Sequence, residues 1–391
     1  MRIALDYTSG IRQEAGIGHY VRNLLDALLA LDTKNEYRLI TSGRPTRERP
    51  FPTAPNVRGR GVLIPDRYLN VLWYRMRAPL PANLFTGGVD IYHGPDFVLP
   101  PLSKNIRKVV TIHDLAFLEH PEYAAPSLAA YLSKVVPASV AEADVVAAVS
   151  QASARTLIEH YATPAEKVTV IPNGLRPHFR RISDPLLLGA TANKFGLKHP
   201  LVLGVGTLEP RKNHMGLIRA FAQTQSNKHA RPAMLALAGG TGWLYDATKQ
   251  LVADLKLEKK VRFLGRVNDL ELSVLYSLAD VFAFPSFFEG FGVPPIEAMA
   301  CGAPVITSNT SSLPEVVGEA ALTVDPHDPA ALADAITRLL GNEHLREDLR
   351  QKGFARAQLY TWPKSAQKML DVYEKLYNGA THFSEEALYT R

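Results

Sequence analysis

The sequence predicts an α/β protein with two consecutive open parallel sheets, each covered by helices on both faces. Three observations carry this. The chain opens as strand, glycine loop and helix, the beginning of a βαβ unit. Short apolar runs then alternate with segments of helical periodicity, and the alternation restarts near residue 201 after a stretch of weak periodicity. A length of 391 residues suits two domains.

Residues 3–6 read as a buried strand. A loop with Gly10, Gly16 and Gly18 follows, then a helix in which Val21, Leu24, Leu25, Leu28, Leu29 and Leu31 recur at helical spacing. Residues 38–40 form a second strand and residues 43–60 a Pro- and Arg-rich loop. Residues 65–85 interleave Tyr68, Leu69, Val71, Leu72, Trp73, Tyr74 and Met76 with Arg67, Arg75 and Arg77. Such a basic, aromatic, amphipathic stretch suits a membrane interface or an acceptor groove, and equally a helix against the core. Residues 90–93, 109–113, 145–149 and 168–171 read as strands, the last entering the turn Pro172-Asn173-Gly174. In the second half, strands are expected at 201–205, 233–238, 261–264, 281–284 and 305–306. Helices are expected around 217–221, 270–278, 296–300, 329–340 and 364–377. The expected domains are 1–180 and 200–362, joined by a linker at 181–199. Ligands of open parallel sheets bind beyond the carboxyl ends of strands, so the loops there should carry the chemistry.

Composition narrows the class. With 46% hydrophobic and 21% charged residues the chain is an ordinary globular protein, and a single cysteine, Cys301, rules out a disulfide scaffold. Cys301 lies in a small-residue helix and is expected to be a packed core thiol. The opening Met1-Arg2-Ile3-Ala4-Leu5-Asp6 lacks the apolar run of a signal peptide, and no apolar stretch approaches the roughly 20 residues that span a bilayer. The expected location is cytoplasmic, with the inner membrane face as a peripheral site. Residues 1–181 hold 22 Lys and Arg against 16 Asp and Glu, whereas residues 182–391 hold 22 of each. A basic first half suggests an anionic partner or simply a solvated basic face.

Four stretches stand out at expected strand ends. Glu289 and Glu297 straddle Gly290-Phe291-Gly292-Val293-Pro294-Pro295. A helix start of this kind offers amides to an anion, and the carboxylates suit hydroxyls of a sugar or ribose. Gly206-Thr207 leads into Arg211-Lys212, two cations able to neutralise a diphosphate as it leaves. His113-Asp114 ends the strand at 109–113, and His93 ends the strand before it. Gly16 and Gly18, followed by Tyr20, allow close backbone approach at a helix start.

On these motifs the chain resembles the retaining glycosyltransferases of family 4, which have the GT-B fold. It carries Glu289, Gly290-Phe291-Gly292, Glu297 and then Ala298-Met299-Ala300-Cys301-Gly302-Ala303-Pro304-Val305. The resemblance implies two Rossmann-like domains facing a cleft, with residues 363–391 forming a helix that returns to the first domain and a polar tail. It implies a donor site of Gly16, Gly18, Gly206, Thr207, Arg211, Lys212, Val267, Glu289, Gly290, Phe291, Gly292, Val293 and Glu297, the last on the ribose. Glu289 would hold sugar hydroxyls, and Val267 lies where family members contact the base. His113, Glu289, Arg211 and Lys212 are the implied catalytic residues; His93, Asp114 and Tyr20 are acceptor-side candidates. Where the family's common form has an arginine, this chain has Thr207, which leaves open whether Arg211 takes over part of that role.

The implied reaction moves a hexose, mannose favoured, from a nucleotide-diphosphate sugar (GDP-mannose first, a UDP-sugar next) to a hydroxyl of a saccharide or a polyprenyl-pyrophosphate-linked acceptor. No Asp-x-Asp pair, zinc spacing or P-loop occurs in the sequence. No cofactor, divalent metal or nucleic acid partner is therefore expected; an anionic membrane surface is a further candidate partner. A nucleotide-sugar 2-epimerase of similar architecture and a non-catalytic nucleotide-sugar-binding partner are the competing readings.

Overall fold

The computed structural model describes residues 1–391 except 15, 44, 47, 48, 65–67, 70, 77, 79, 227–231, 243, 244 and 384–391, and except the side chains of 74 and 75. The chain divides into two compact units. One comprises residues 1–174 and 362–391, the other residues 175–361.

The first unit holds a seven-stranded, all-parallel sheet: β1 (Arg2–Asp6), β2 (Glu36–Ser42), β3 (Val57–Val62), β4 (Ile91–Gly94), β5 (Arg107–Ile112), β6 (Val145–Ala148) and β7 (Val168–Val170), in the order β3-β2-β1-β4-β5-β6-β7. The central strands are apolar along their length, as a sheet covered on both faces requires. The register sets Ile3 beside Tyr37 on one side and Ile91 on the other. The second unit has a six-stranded parallel sheet: β8 (Leu201–Val205), β9 (Met234–Ala238), β10 (Val261–Gly265), β11 (Val281–Phe284), β12 (Val305–Ser308) and β13 (Ala321–Val324), in the order β10-β9-β8-β11-β12-β13. In both sheets the strand order reverses beside the first strand, at β1/β4 and at β8/β11. Those reversals open the crevices where doubly wound sheets bind ligands.

Two expectations change, and a third falls partly outside the described residues. Residues 43–60 are not all loop, because β3 begins at Val57 and pairs with β2 from Tyr37↔Val57 to Ser42↔Val62. Residues 181–199 are not a bare linker: the helix Pro185–Phe195 lies within the second unit. Asp184 caps it by accepting from the Leu186 amide, Pro185 fills its first turn, and Gly196 closes it in the left-handed conformation. Within residues 65–85, of which 65–67, 70, 77 and 79 lie outside the described residues, Tyr68 and Leu69 are helical, a five-residue π-helical turn spans Val71–Arg75 and a short helix spans Asn83–Thr86. Leu69 is buried there, while Tyr68, Val71, Met76 and Leu84 are exposed. Arg67, Arg77 and the side chains of Tyr74 and Arg75 lie outside the described residues.

The helix Trp362–Tyr377 groups with the first unit and buries Trp362, Met369, Tyr373 and Leu376. Among the described residues no helix is long and apolar enough to cross a membrane. Cys301 is fully buried, and burial pushes its thiol pKa up, so it is a core thiol.

Candidate active site

In the second unit the loops after β8 and β11 converge at the sheet's reversal point. Glu289 is their hub. Its carboxylate pairs with Arg211 (Nη1 to Oε2, 2.7 Å) and Lys212 (Nζ to Oε1, 2.5 Å), and it accepts the Ser286 hydroxyl at 2.7 Å. Arg211 is also tied to Glu209 at 2.9 Å and donates to the Phe288 carbonyl at 2.9 Å. Lys212 Nζ lies 5.0 Å from the centre of the Phe284 ring. Burial would raise the Glu289 pKa, but Arg211, Lys212 and Ser286 outweigh it and bring it down to about 2. Burial and the neighbouring Arg211 lower the pKa of Lys212, against the pull of Glu289. The buried charges therefore persist as a hydrogen-bonded cluster.

The loop past Glu289 is held in place by serines. The Ser311 hydroxyl accepts the Glu289 amide at 3.1 Å, while Ser312 Oγ donates to the carbonyls of Glu289 and Phe291 at 2.8 Å each. Ser312 thus serves this loop and makes no side-chain cap on the helix Leu313–Val317. Gly292 precedes the helix Val293–Ala300 with φ 103°, and a Cβ there would meet Leu313 at 2.7 Å; only glycine fits. Pro294 and Pro295 carry no N–H, so the start of this helix offers fewer amide donors than an ordinary first turn, Val293 among those that remain. Phe291 is buried against Tyr360.

Glu297, on that helix, is 4% exposed and pairs with Arg176 at 3.0 Å; the Tyr276 hydroxyl donates to it at 3.4 Å. Burial outweighs Arg176 and pushes its pKa up to about 7. A native pKa above the ordinary 4.5 stabilises the fold fully below pH 4.5, and that contribution is lost as pH rises through 7. Urea unfolding at pH 6 and pH 8 should therefore show wild type losing roughly 1 kcal/mol more than Glu297→Gln. Equal losses would refute the raised pKa.

Gly206, after β8, has φ 143°, and a Cβ would lie 3.3 Å from Lys212. Thr207 beside it is exposed. His214, which the sequence reading missed, is buried; its Nε2–H donates to the Gly206 carbonyl at 3.2 Å, and burial lowers its pKa to about 4, so it stays neutral. Val267 is half-buried in the loop after β10.

In the first unit, His113 follows β5. Its Nε2–H donates to the Pro95 carbonyl at 2.8 Å, and its ring meets Tyr20 and Phe97 edge to face at 4.7 and 5.4 Å. Burial lowers its pKa against the pull of Asp96, so neutral imidazole with Nδ1 as acceptor is the form at pH 7. Tyr20 is buried as well, its hydroxyl 3.3 Å from Thr111 Oγ1, and it packs His113 in place. Asp114 accepts the Ala116 amide at 3.0 Å, at the start of a helix. Gly16 has φ 53° and precedes the helix Ile17–Leu31; a Cβ at Gly18 would sit 2.2 Å from the Gln13 carbonyl oxygen. Both glycines have a steric reason, and Ala15 lies outside the described residues.

His93 differs from the acceptor-side expectation. It is 0% exposed, with Nδ1 hydrogen-bonded to the Tyr373 hydroxyl at 2.6 Å and Nε2 to Thr111 Oγ1 at 2.8 Å. Burial lowers its pKa to about 3. A neutral histidine with both nitrogens satisfied is a core residue that ties the helix Trp362–Tyr377 to the first sheet. Among the described residues no group of three or more His, Cys, Asp or Glu could hold a metal ion.

Two family models match the chain: Glycosyltransferase Family 4 over residues 15–179 and Glycosyl transferases group 1 over residues 191–356. The chain belongs to this glycosyltransferase family and is an enzyme of that class. Among its relatives is the O-antigen chain mannosyltransferase B of Escherichia coli, 35% identical over 287 residues, covering 73% of this chain and 74% of that protein. The serotype-specific mannosyltransferase WbdA of Escherichia coli is 29% identical over 248 residues, 63% of this chain but only 30% of WbdA's length. The fold matches a sucrose-phosphate synthase structure from Thermosynechococcus elongatus with a TM-score of 0.76 and 25% identity, covering 97% of this chain and 100% of that one. The two parallel sheets are those of the GT-B fold.

Proposed function

We propose that this enzyme is a retaining mannosyltransferase that moves mannose from GDP-mannose to a hydroxyl of a saccharide or of a polyprenyl-pyrophosphate-linked saccharide, without a divalent metal. The observation that carries the reading is the largely buried Arg211–Lys212–Glu289 cluster, in a chain 35% identical to a mannosyltransferase. Two cations fixed at a sheet's reversal point suit a diphosphate leaving group, since preorganised charge stabilises the transition state most where water is excluded. Glu297 would take the ribose, Glu289 sugar hydroxyls as well as the cations, and His113 a hydroxyl near the anomeric carbon. On a front-face path the anomeric C–O bond breaks, the acceptor oxygen bonds to the same face, and the leaving phosphate takes the acceptor's proton. A UDP-sugar is the second donor choice.

The basic stretch of residues 1–181, with Tyr68, Met76 and Leu84 exposed, supports a peripheral site at the inner membrane face. A panel of GDP-, UDP-, dTDP- and ADP-sugars, read by thermal shift and donor consumption with and without EDTA, tests the donor. The reading predicts GDP-mannose first, unaffected by chelation, with an α-linked product by NMR. Preference for another sugar, loss of turnover in EDTA, or an inverted anomer would each sink its part. Failure to pellet with anionic liposomes at low salt would remove the membrane site.

A further inference from the structure

At the reversal point of the first sheet, β1 and β4 are neighbours, and the segments leaving their carboxyl ends meet. Asp96, two residues beyond β4, receives two hydrogen bonds from the segment after β1, both on Oδ2: one from Ser9 Oγ and one from Gln13 Nε2 at 3.1 Å. Gln13 Nε2 also reaches Ser9 Oγ at 3.3 Å. The second carboxylate oxygen, Oδ1, accepts no hydrogen bond from any described residue, and Asp96 is only half-buried.

The next residue is strained. Phe97 holds φ at 63°, the left-handed region, while its buried ring lies edge-on to His113 at 5.4 Å and to Phe117 at 6.2 Å. A non-glycine residue keeps that conformation only when its surroundings impose it, and such residues gather at ligand sites. On the other side, the Pro95 carbonyl accepts His113 Nε2–H. Residues 95–97 therefore fix the tautomer of His113, press a ring against it, and lock one oxygen of Asp96 while leaving the other open. His113 Nδ1 and Asp96 Oδ1 are both acceptors, neither has a donor among the described residues, and the charge of Asp96 is felt at the His113 ring.

We propose that Asp96 is a specificity-determining residue whose Oδ1 accepts a hydrogen bond from a hydroxyl of the acceptor saccharide, beside His113; this rests on the glycosyltransferase reading above. A fixed carboxylate matches a neutral hydroxyl and repels a diphosphate. The cations suited to the donor's phosphates lie instead in the second unit, on Arg211 and Lys212.

Asp96→Asn is the clean variant. Its amide keeps an oxygen for Ser9 and Gln13 and turns an –NH2 donor to the open side, where an acceptor stood. Kinetics with GDP-mannose as donor and methyl α-D-mannopyranoside as probe acceptor should show the acceptor KM rising about tenfold or more, as expected when a hydrogen bond to a charged group is lost. The donor KM and the slow hydrolysis of GDP-mannose without acceptor should stay within about twofold of wild type. Gln13→Leu, which loosens the carboxylate but spares Oδ1, should raise the acceptor KM by a smaller factor. An unchanged acceptor KM in Asp96→Asn, or donor hydrolysis falling in step with transfer, would overturn the assignment. Failure of the wild-type chain to consume any donor sugar would overturn the reading beneath it as well.

Discussion

Replacing Glu289 by alanine should cut glycosyl transfer by about a hundredfold or more, on the scale of lost transition-state electrostatics. The same change should lower stability by about 3 kcal/mol, because it breaks a buried ion pair from one side. Lys212 is the reason. Its ammonium is largely buried, its hydrogen bond goes to Glu289 at 2.5 Å, and without that carboxylate it is left with the Phe284 ring and the more distant charge of Glu209. Arg211 retains Glu209 and the Phe288 carbonyl. The proton linkage has a definite sign. A native pKa of about 2, below the ordinary 4.5, stabilises the fold above pH 4.5 and is lost as pH falls toward 2. Acid unfolding followed by circular dichroism should therefore be shallower between pH 4.5 and 2 in the variant than in wild type. A variant that keeps full transfer, or wild-type acid sensitivity, would remove Glu289 from the hub.

The interior of both sheets was legible because buried parallel strands are continuous apolar runs. Residues 201–205 and 281–284 are such runs, and β8 and β11 span those same residues. Of the four edge strands, β7 and β10 were legible as apolar runs, but β3 and β13 were not. β3 reads Val-Arg-Gly-Arg-Gly-Val, with two glycines and two solvated arginines that resemble loop in sequence. β13 is short and only partly buried, so it lacks the apolar run that marks its neighbours. The helix at Pro185–Phe195 has a weak apolar stripe and buries only Thr191. Its caps, Asp184 and Gly196, are the local signal that could have found it.

The site followed the same division between local and distant information. Arg211, Lys212 and Glu289 stand out in the sequence as residue types near strand ends, and the fold brings them onto one another. Their supports were not readable. Ser286, Ser311 and Ser312 reach backbone partners in other loops, and Arg176 reaches Glu297 across 121 positions. His93 shows the converse. A histidine at a strand end has the chemistry of a ligand in sequence, yet its partner Tyr373 lies 280 positions away and turns it into a core residue.

Lys212→Met should likewise reduce transfer by about a hundredfold, yet leave stability within about 1 kcal/mol of wild type. The two variants remove opposite ends of one ion pair, and the asymmetry comes from what each leaves behind. Without Lys212, Glu289 still pairs with Arg211 at 2.7 Å and accepts the Ser286 hydroxyl at 2.7 Å, so no buried charge is stranded. Methionine has a similar length and fills the space over Phe284 without the cost of desolvating an ammonium. The activity loss has a separate origin, one fewer positive charge where a diphosphate gains negative charge. Thermal unfolding and initial transfer rates measured on both variants separate the two effects. If Lys212→Met proves as unstable as Glu289→Ala, the cluster is a structural strut; if it keeps its rate, the leaving group lies elsewhere.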